Sequence, residues 1–208
     1  MDELFVLHPT APASLEDLLR SHVERAGSCD ECLRCQAGGW EFVEGVWRNV
    51  GDRSEIRRSR STHHLLSLPA VLPIRIQKFT FDHSDSSGRM RQKWLFSEID
   101  IPLVDLDLGP LIPSNFDLGA TCTKYNLRMM VKFRYFGNEL PEFTDFGMAG
   151  EGRFMGYFKE AGSGVWYAFD VCRGVREVAA EMEGARRMTS KFACFLLYVR
   201  ADVPVDSL

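Results

Sequence analysis

No apolar stretch in this 208-residue chain approaches the about 18 residues that a membrane-spanning helix requires, so no membrane span is expected. A surplus of positive charge is also lacking. The 25 Lys and Arg residues stand against 29 Asp and Glu, a formal net charge of −4, and no overall basic field points to nucleic acid. Cysteine is too sparse for a disulfide scaffold: there are 6 in all, and Cys29, Cys32 and Cys35 are packed into one short segment. A reducing intracellular compartment is the simpler expectation, cytoplasm or nucleus first, with an organelle as the alternative. The opening segment, MDELFVLHPTAPAS, is acidic and has no arginine, unlike a signal or transit peptide. Internal repeats are absent as well.

What the chain does contain is core-forming material. Hydrophobic residues make up 45% and charged residues 26%, the balance of a globular protein, and 15 phenylalanines supply bulk for a substantial core. One local basic run, Arg53 to Arg60 (RSEIRRSR), reads first as a solvated loop, because no aromatics are interleaved with its arginines. Contact with a polyanion is the alternative, and nucleic acid is expected nowhere else.

A helix is expected from about 14 to 26. Ser14 is placed to accept the backbone N–H of Asp17, the acidic pair Glu16-Asp17 suits the positive end of a helix, and Leu15, Leu18 and Leu19 recur at helical spacing. Residues 40–50 (WEFVEGVWRNV) suit a strand pair. A strand following Pro69 and running to Phe81 is expected from its β-branched and aromatic content. Its apolar parity switches between Ile74/Ile76 and Phe79/Phe81, which calls for a bulge or burial on both faces. Residues 82–89 form a turn-rich loop, 93–101 a further strand, and Leu103 to Leu108 an extended leucine run with alternating aspartates. Long strands follow at Tyr125–Phe136 and Gly152–Lys159, the latter turning at Glu160–Gly164 into Val165–Phe169. Residues 138–150 read as a loop and 175–188 as a helical or mixed segment. Phe192 to Val199 (FACFLLYV) is apolar throughout and belongs in the middle of a sheet. The fold class is therefore α+β with antiparallel strands predominating.

In order along the chain stand SLEDLL (14–19) with Cys29-Asp30-Glu31-Cys32, LPAVLPIRIQKF (68–79), GRFMGYFK (152–159) with WYAFD (166–170), and ACFLLYVR (193–200), and these four segments resemble the ubiquitin-specific proteases, papain-like cysteine peptidases that remove ubiquitin. SLEDLL (14–19) followed by Cys29-Asp30-Glu31-Cys32 is similar to the end of that family's zinc fingers. LPAVLPIRIQKF (68–79) resembles the strand written LPxVLxIxLKRF. Tyr125-Asn126-Leu127, GRFMGYFK (152–159) and WYAFD (166–170) resemble YxL, GHYTAYVK and WYxFD, and ACFLLYVR (193–200) resembles the closing AYVLFYxR. Together they span roughly residues 14–200. The resemblance implies one partial domain over 1–208: a degenerate fingers remnant at 1–64, a palm-like sheet at 65–200 and a tail at 201–208. Met1 to His8 is similar to the strand between the two halves of the fingers, so the thumb half is expected to be missing.

The chemistry such a peptidase needs is a thiolate, an imidazole that shuttles its proton, and a group that orients the imidazole. Asp170 matches the orienting position. The histidine position is occupied by Arg153, which keeps the family's interval of thirteen residues before Trp166. A guanidinium stays protonated at physiological pH and cannot shuttle a proton, so a salt bridge between Arg153 and Asp170 is expected. The nucleophile's Asn- and Cys-rich box has no counterpart in this chain. Cys122, Cys172 and Cys194 read as buried structural thiols, although Cys172, two residues from Asp170, is a candidate for redox sensitivity. Cys29, Cys32 and Cys35 are a compact CxxCxxC in which zinc would need a fourth ligand, His63, His64 or a partner chain. Reduced thiols of a degenerate finger are the preferred reading, and no other cofactor is expected.

The expectation is thus a pseudo-deubiquitinase: a catalytically inactive scaffold subunit of a larger assembly, with protein partners and with residual ubiquitin binding in view. The alternative is one fragment of a split or truncated deubiquitinase. In the scaffold case the exposed side of the sheet should be a large apolar patch that needs a partner, since half a domain cannot cover both faces.

Overall fold

Among the described residues, alternating apolar residues and short turns make strands the dominant element. In the computed structural model the described residues are 5–23, 27–28, 40–43, 46–49, 60–61, 67–82, 91–135, 143–145, 152–170, 174–179, 182 and 184–204. They fall into two compact units, one comprising 1–22 with 65–208 and the other 23–64.

In chain order the elements are β1 (Phe5–Leu7), β2 (Ala13–Ser14), α1 (Leu15–Val23), β3 (Gly27–Ser28), β4 (Trp40–Val43), β5 (Val46–Asn49) and β6 (Arg60–Ser61). There follow β7 (Val71–Ile76), β8 (Phe79–Asp82), β9 (Arg91–Trp94), β10 (Ile99–Pro102), β11 (Leu106–Asp107) and a 3-10 turn at Gly109–Leu111. The remainder are β12 (Lys124–Tyr135), β13 (Phe143–Asp145), β14 (Gly152–Lys159), β15 (Trp166–Asp170), β16 (Gly174–Val178), β17 (Arg187–Ser190) and β18 (Ala193–Arg200). In the smaller unit β4 pairs with β5 and β3 with β6, both antiparallel, so the strand pair expected at 40–50 is present.

The larger unit is organised by an eight-stranded sheet in the order β1-β7-β18-β12-β14-β15-β16, with β11 also on β12. β1 pairs with β7 in parallel and the other neighbours are antiparallel. The apolar β18 lies between β7 and β12, as an unbroken hydrophobic strand should. Registers such as Leu196↔Ile74, Leu196↔Met130 and Met130↔Tyr157 put these side chains on one face. That face is the core: Leu72, Ile74, Leu127, Met130, Leu196 and Tyr198 are buried together with Leu15 and Leu19 of α1. Two deep hydroxyls find carbonyls, Tyr198 donating to Pro102 O and Tyr125 to Pro69 O, each at 2.7 Å. A small sheet, β17-β10-β2, adds Ile99 and Ile101 to the same core.

α1 is shorter than the expected 14–26. Its start is as expected, with the Asp17 N–H donating to Ser14 Oγ at 3.1 Å, but the helix ends at Val23, and 24–26 lie outside the described residues.

Four expectations are corrected. The run to Phe81 is two strands in two sheets, not one, because the chain bends at Gln77: its N–H donates to Leu7 O at 2.8 Å and its Nε2 to Phe79 O at 2.8 Å. The parity switch marks that corner. Likewise 93–101 divides into the end of β9 and the start of β10, which belong to different sheets. The 138–150 loop contains a short strand, β13. Residues 175–188, expected to be helical or mixed, hold among the described residues most of β16 and the start of β17. Gly174 and Gly184 adopt left-handed φ values of 74° and 70°, and Ala179 N–H extends the β15 ladder by donating to Trp166 O at 2.7 Å. Ala179 and Met182, whose spacing resembled a helix, close a single turn through Met182 N–H to Ala179 O at 2.8 Å. The turn-rich loop expected at 82–89 lies outside the described residues apart from Asp82.

Candidate functional site

Two features of the larger unit combine charge with burial. The first lies on adjacent strands of the large sheet. Met155 of β14 stands opposite Asp170 of β15, and Arg153, two residues back on β14, shares its face. Arg153 and Asp170 are therefore diagonal neighbours, within reach of a long side chain. Arg153 Nη2 lies 2.8 Å from Asp170 Oδ2, forming the expected ion pair, and Asp170 is only 4% exposed. Geometry of this kind makes the guanidinium the carboxylate's charge partner and leaves no imidazole at that position.

β14 is held close to β12 by a glycine. A Cβ at Gly152 would lie 2.2 Å from Phe133 Cζ and 2.7 Å from Arg134 O, so the Phe133 ring occupies the space a side chain would take. Phe133 in turn stacks on Trp94 (centroids 5.4 Å apart, 20° between planes) and meets Phe154 edge-on at 5.4 Å.

The second feature is on the opposite face of the sheet, where β7 bends into β8. A groove of about 340 Å³ opens there, walled by Phe79, Trp94, Val131, Phe133, Phe154 and Phe195. Its polar members include Arg75, Gln77, Lys78 and Cys194. Lys78 is 5% exposed, and its Nζ is buried with no hydrogen-bond partner. Burial pushes the Lys78 ammonium down from 10.5 to about 8, and the nearby Cys194 thiol opposes part of that shift. Burial also raises Cys194 to about 11; its Sγ donates to Val131 O at 3.2 Å. The apolar surface continues past the groove along Met129, Gly156, Phe158 and Phe169. Phe154 is 52% exposed, Phe169 39% and Val175 58%, so the apolar sheet face anticipated from the sequence is present.

Of the residues singled out in the sequence, Arg153 and Asp170 are brought together, and Cys194, expected to be buried, is half-buried in β18 and lines the groove. Cys122 is a correction: it is half-buried in the loop before β12, not enclosed, with Sγ at 3.8 Å from Lys124 O. Cys29, Cys32, Cys35, His63, His64, Cys172 and the Arg53–Arg60 run (Arg60 forms part of β6) have no described side chains. Among the described residues no group of His, Cys, Asp or Glu side chains could hold a metal ion, and no helix is long and apolar enough to cross a membrane. Lys78 was overlooked in the sequence; a lysine between two apolar strand segments was the available signal.

No protein-family model matches the chain, and no curated protein matches it. Solved structures do. A chain of the SAGA Ubp8/Sgf11/Sus1/Sgf73 DUB module bound to ubiquitin aldehyde matches with a TM-score of 0.52 and 18% identity, over 97% of this chain and 36% of that one. A chain of a variant of that module bound to monoubiquitin matches at 0.53 and 17% identity, over 97% and 35%. At such identity the likeness shows the fold alone, an α+β arrangement rich in antiparallel sheet. This chain spans about a third of the chains it resembles.

Proposed function

We propose that this protein is a catalytically inactive relative of the ubiquitin-specific proteases that serves as a structural subunit of a larger assembly. The observation that carries the reading is the 2.8 Å ion pair of Arg153 with the buried Asp170. In a thiol peptidase that carboxylate would orient an imidazole able to take and return a proton; an arginine offers donors only. The fold shared with chains of multi-subunit modules supports an assembly role, and the modules' ubiquitin complexes make ubiquitin a candidate ligand. Incubation with ubiquitin bearing a C-terminal electrophile should give no covalent adduct. An adduct, formed alone or with a candidate partner, overturns the reading. Residual ubiquitin binding predicts chemical-shift changes in labelled ubiquitin on titration with the chain, and their absence removes that part of the proposal.

A second reading, one piece of a split deubiquitinase, draws support from Asp170 standing at the orienting position within a regular strand pair. It requires Arg153→His together with a complementary N-terminal fragment to restore cleavage of a ubiquitin conjugate. Persistent inactivity of that combination would remove its support.

A further inference from the structure

We infer that the groove at the β7–β8 corner is a docking site for an extended segment of a partner protein, whose carboxylate pairs with Lys78 while its apolar side chains cover the aromatic wall. An ammonium buried in the lining of an aromatic groove with no hydrogen-bond acceptor is costly, and an incoming anion offsets that cost. Among the described residues the groove lining contains two cations, Arg75 and Lys78, and no carboxylate, so its charge complements an acidic side chain. Cys194, the remaining titratable group there, keeps its proton at neutral pH because burial raises it.

The extent of the apolar surface favours a polypeptide over a small amphiphile. From Phe195 on β18 the strip crosses β12, β14 and β15 to Val175 on β16, four strand spacings or about 19 Å. That is the length of roughly six residues in extended conformation, whereas the groove by itself would hold one large side chain and its neighbours. Both cations lie at the β7 end, which places the acidic residue at that end of the segment. The inference takes a protein occupant from the assembly reading but is independent of whether the Arg153 side is inert, because it concerns the other face of the sheet.

The test titrates the full chain with two end-capped hexapeptides alternating leucine and phenylalanine, one carrying a terminal aspartate and the other asparagine. The aspartate peptide should bind at least tenfold more tightly to the native chain, and Lys78→Met should erase the difference. Phe154→Asp, at an exposed position, should weaken the aspartate peptide at least tenfold. Equal affinities for the two peptides, no binding of either, or discrimination that survives Lys78→Met overturns the proposal. Decanoate that binds where the peptides do not assigns the groove to a small amphiphilic acid and overturns it also. An adduct in the ubiquitin-probe experiment would leave this result unchanged, so the two readings fail separately.

Discussion

Lys78 and Cys194 sit in one apolar groove and are displaced in opposite directions because burial always disfavours the charged form: the amine is pushed down to about 8 and the thiol up to about 11. Their consequences for stability differ in sign. Between about 8 and 10.5 the unfolded chain holds the Lys78 proton more tightly than the folded one, so folding stability rises with pH across that window. Below it both states are protonated and the burial cost is fully present. For Cys194 the folded state holds the proton more tightly between 9.0 and about 11, so stability falls there and offsets the gain. A net rise is therefore expected mainly between pH 8 and 9, and urea unfolding at half-unit pH steps should reveal it. Lys78→Met should stabilise the chain by about 1 to 3 kcal/mol at pH 7 and flatten the rise. A variant no more stable than the parent would mean the ammonium is better solvated than its burial implies.

The strand pair β12–β14 depends at its end on the absence of a side chain. Gly152 faces the Phe133 ring and the Arg134 carbonyl, and of the two only the ring could move, at the cost of its stack on Trp94. Gly152→Ala should destabilise by about 1 to 3 kcal/mol through overpacking, read as a lower urea midpoint with unchanged slope. Weaker quenching of Trp94 fluorescence would locate the damage at that stack. The β12, β14 and β18 strands were legible in the sequence because their period-2 and continuous apolar patterns are local. The residues 175–188 were not, since apolar residues three apart fit a helix and a turn between strands equally well. Hydrogen bonding to Trp166, remote in sequence, decided the matter.

Across the larger unit, α1 is tied to the small sheet by Arg187. Its guanidinium meets both Glu16 carboxylate oxygens at 2.8 and 3.0 Å and Asp100 Oδ2 at 2.8 Å. All three side chains are partly exposed, so screening limits the gain. Arg187→Met should cost about 1 kcal/mol, with the loss shrinking when the salt concentration is raised to 1 M. A salt-independent loss would point to packing of the aliphatic stem instead.

By itself the sequence determined the antiparallel α+β fold class, the central place of β18 and the presence of a guanidinium rather than an imidazole at position 153. These rest on side-chain alternation, unbroken apolarity and residue chemistry, all readable within a few residues. Only the tertiary structure decided that the strand through Ile76 turns a corner at Gln77 and that Lys78 is buried beside Cys194 in the groove lining. The physical reason is distance along the chain: Lys78 and Cys194, like Phe133 and Gly152, meet through strand order and register, which no local pattern of residues specifies.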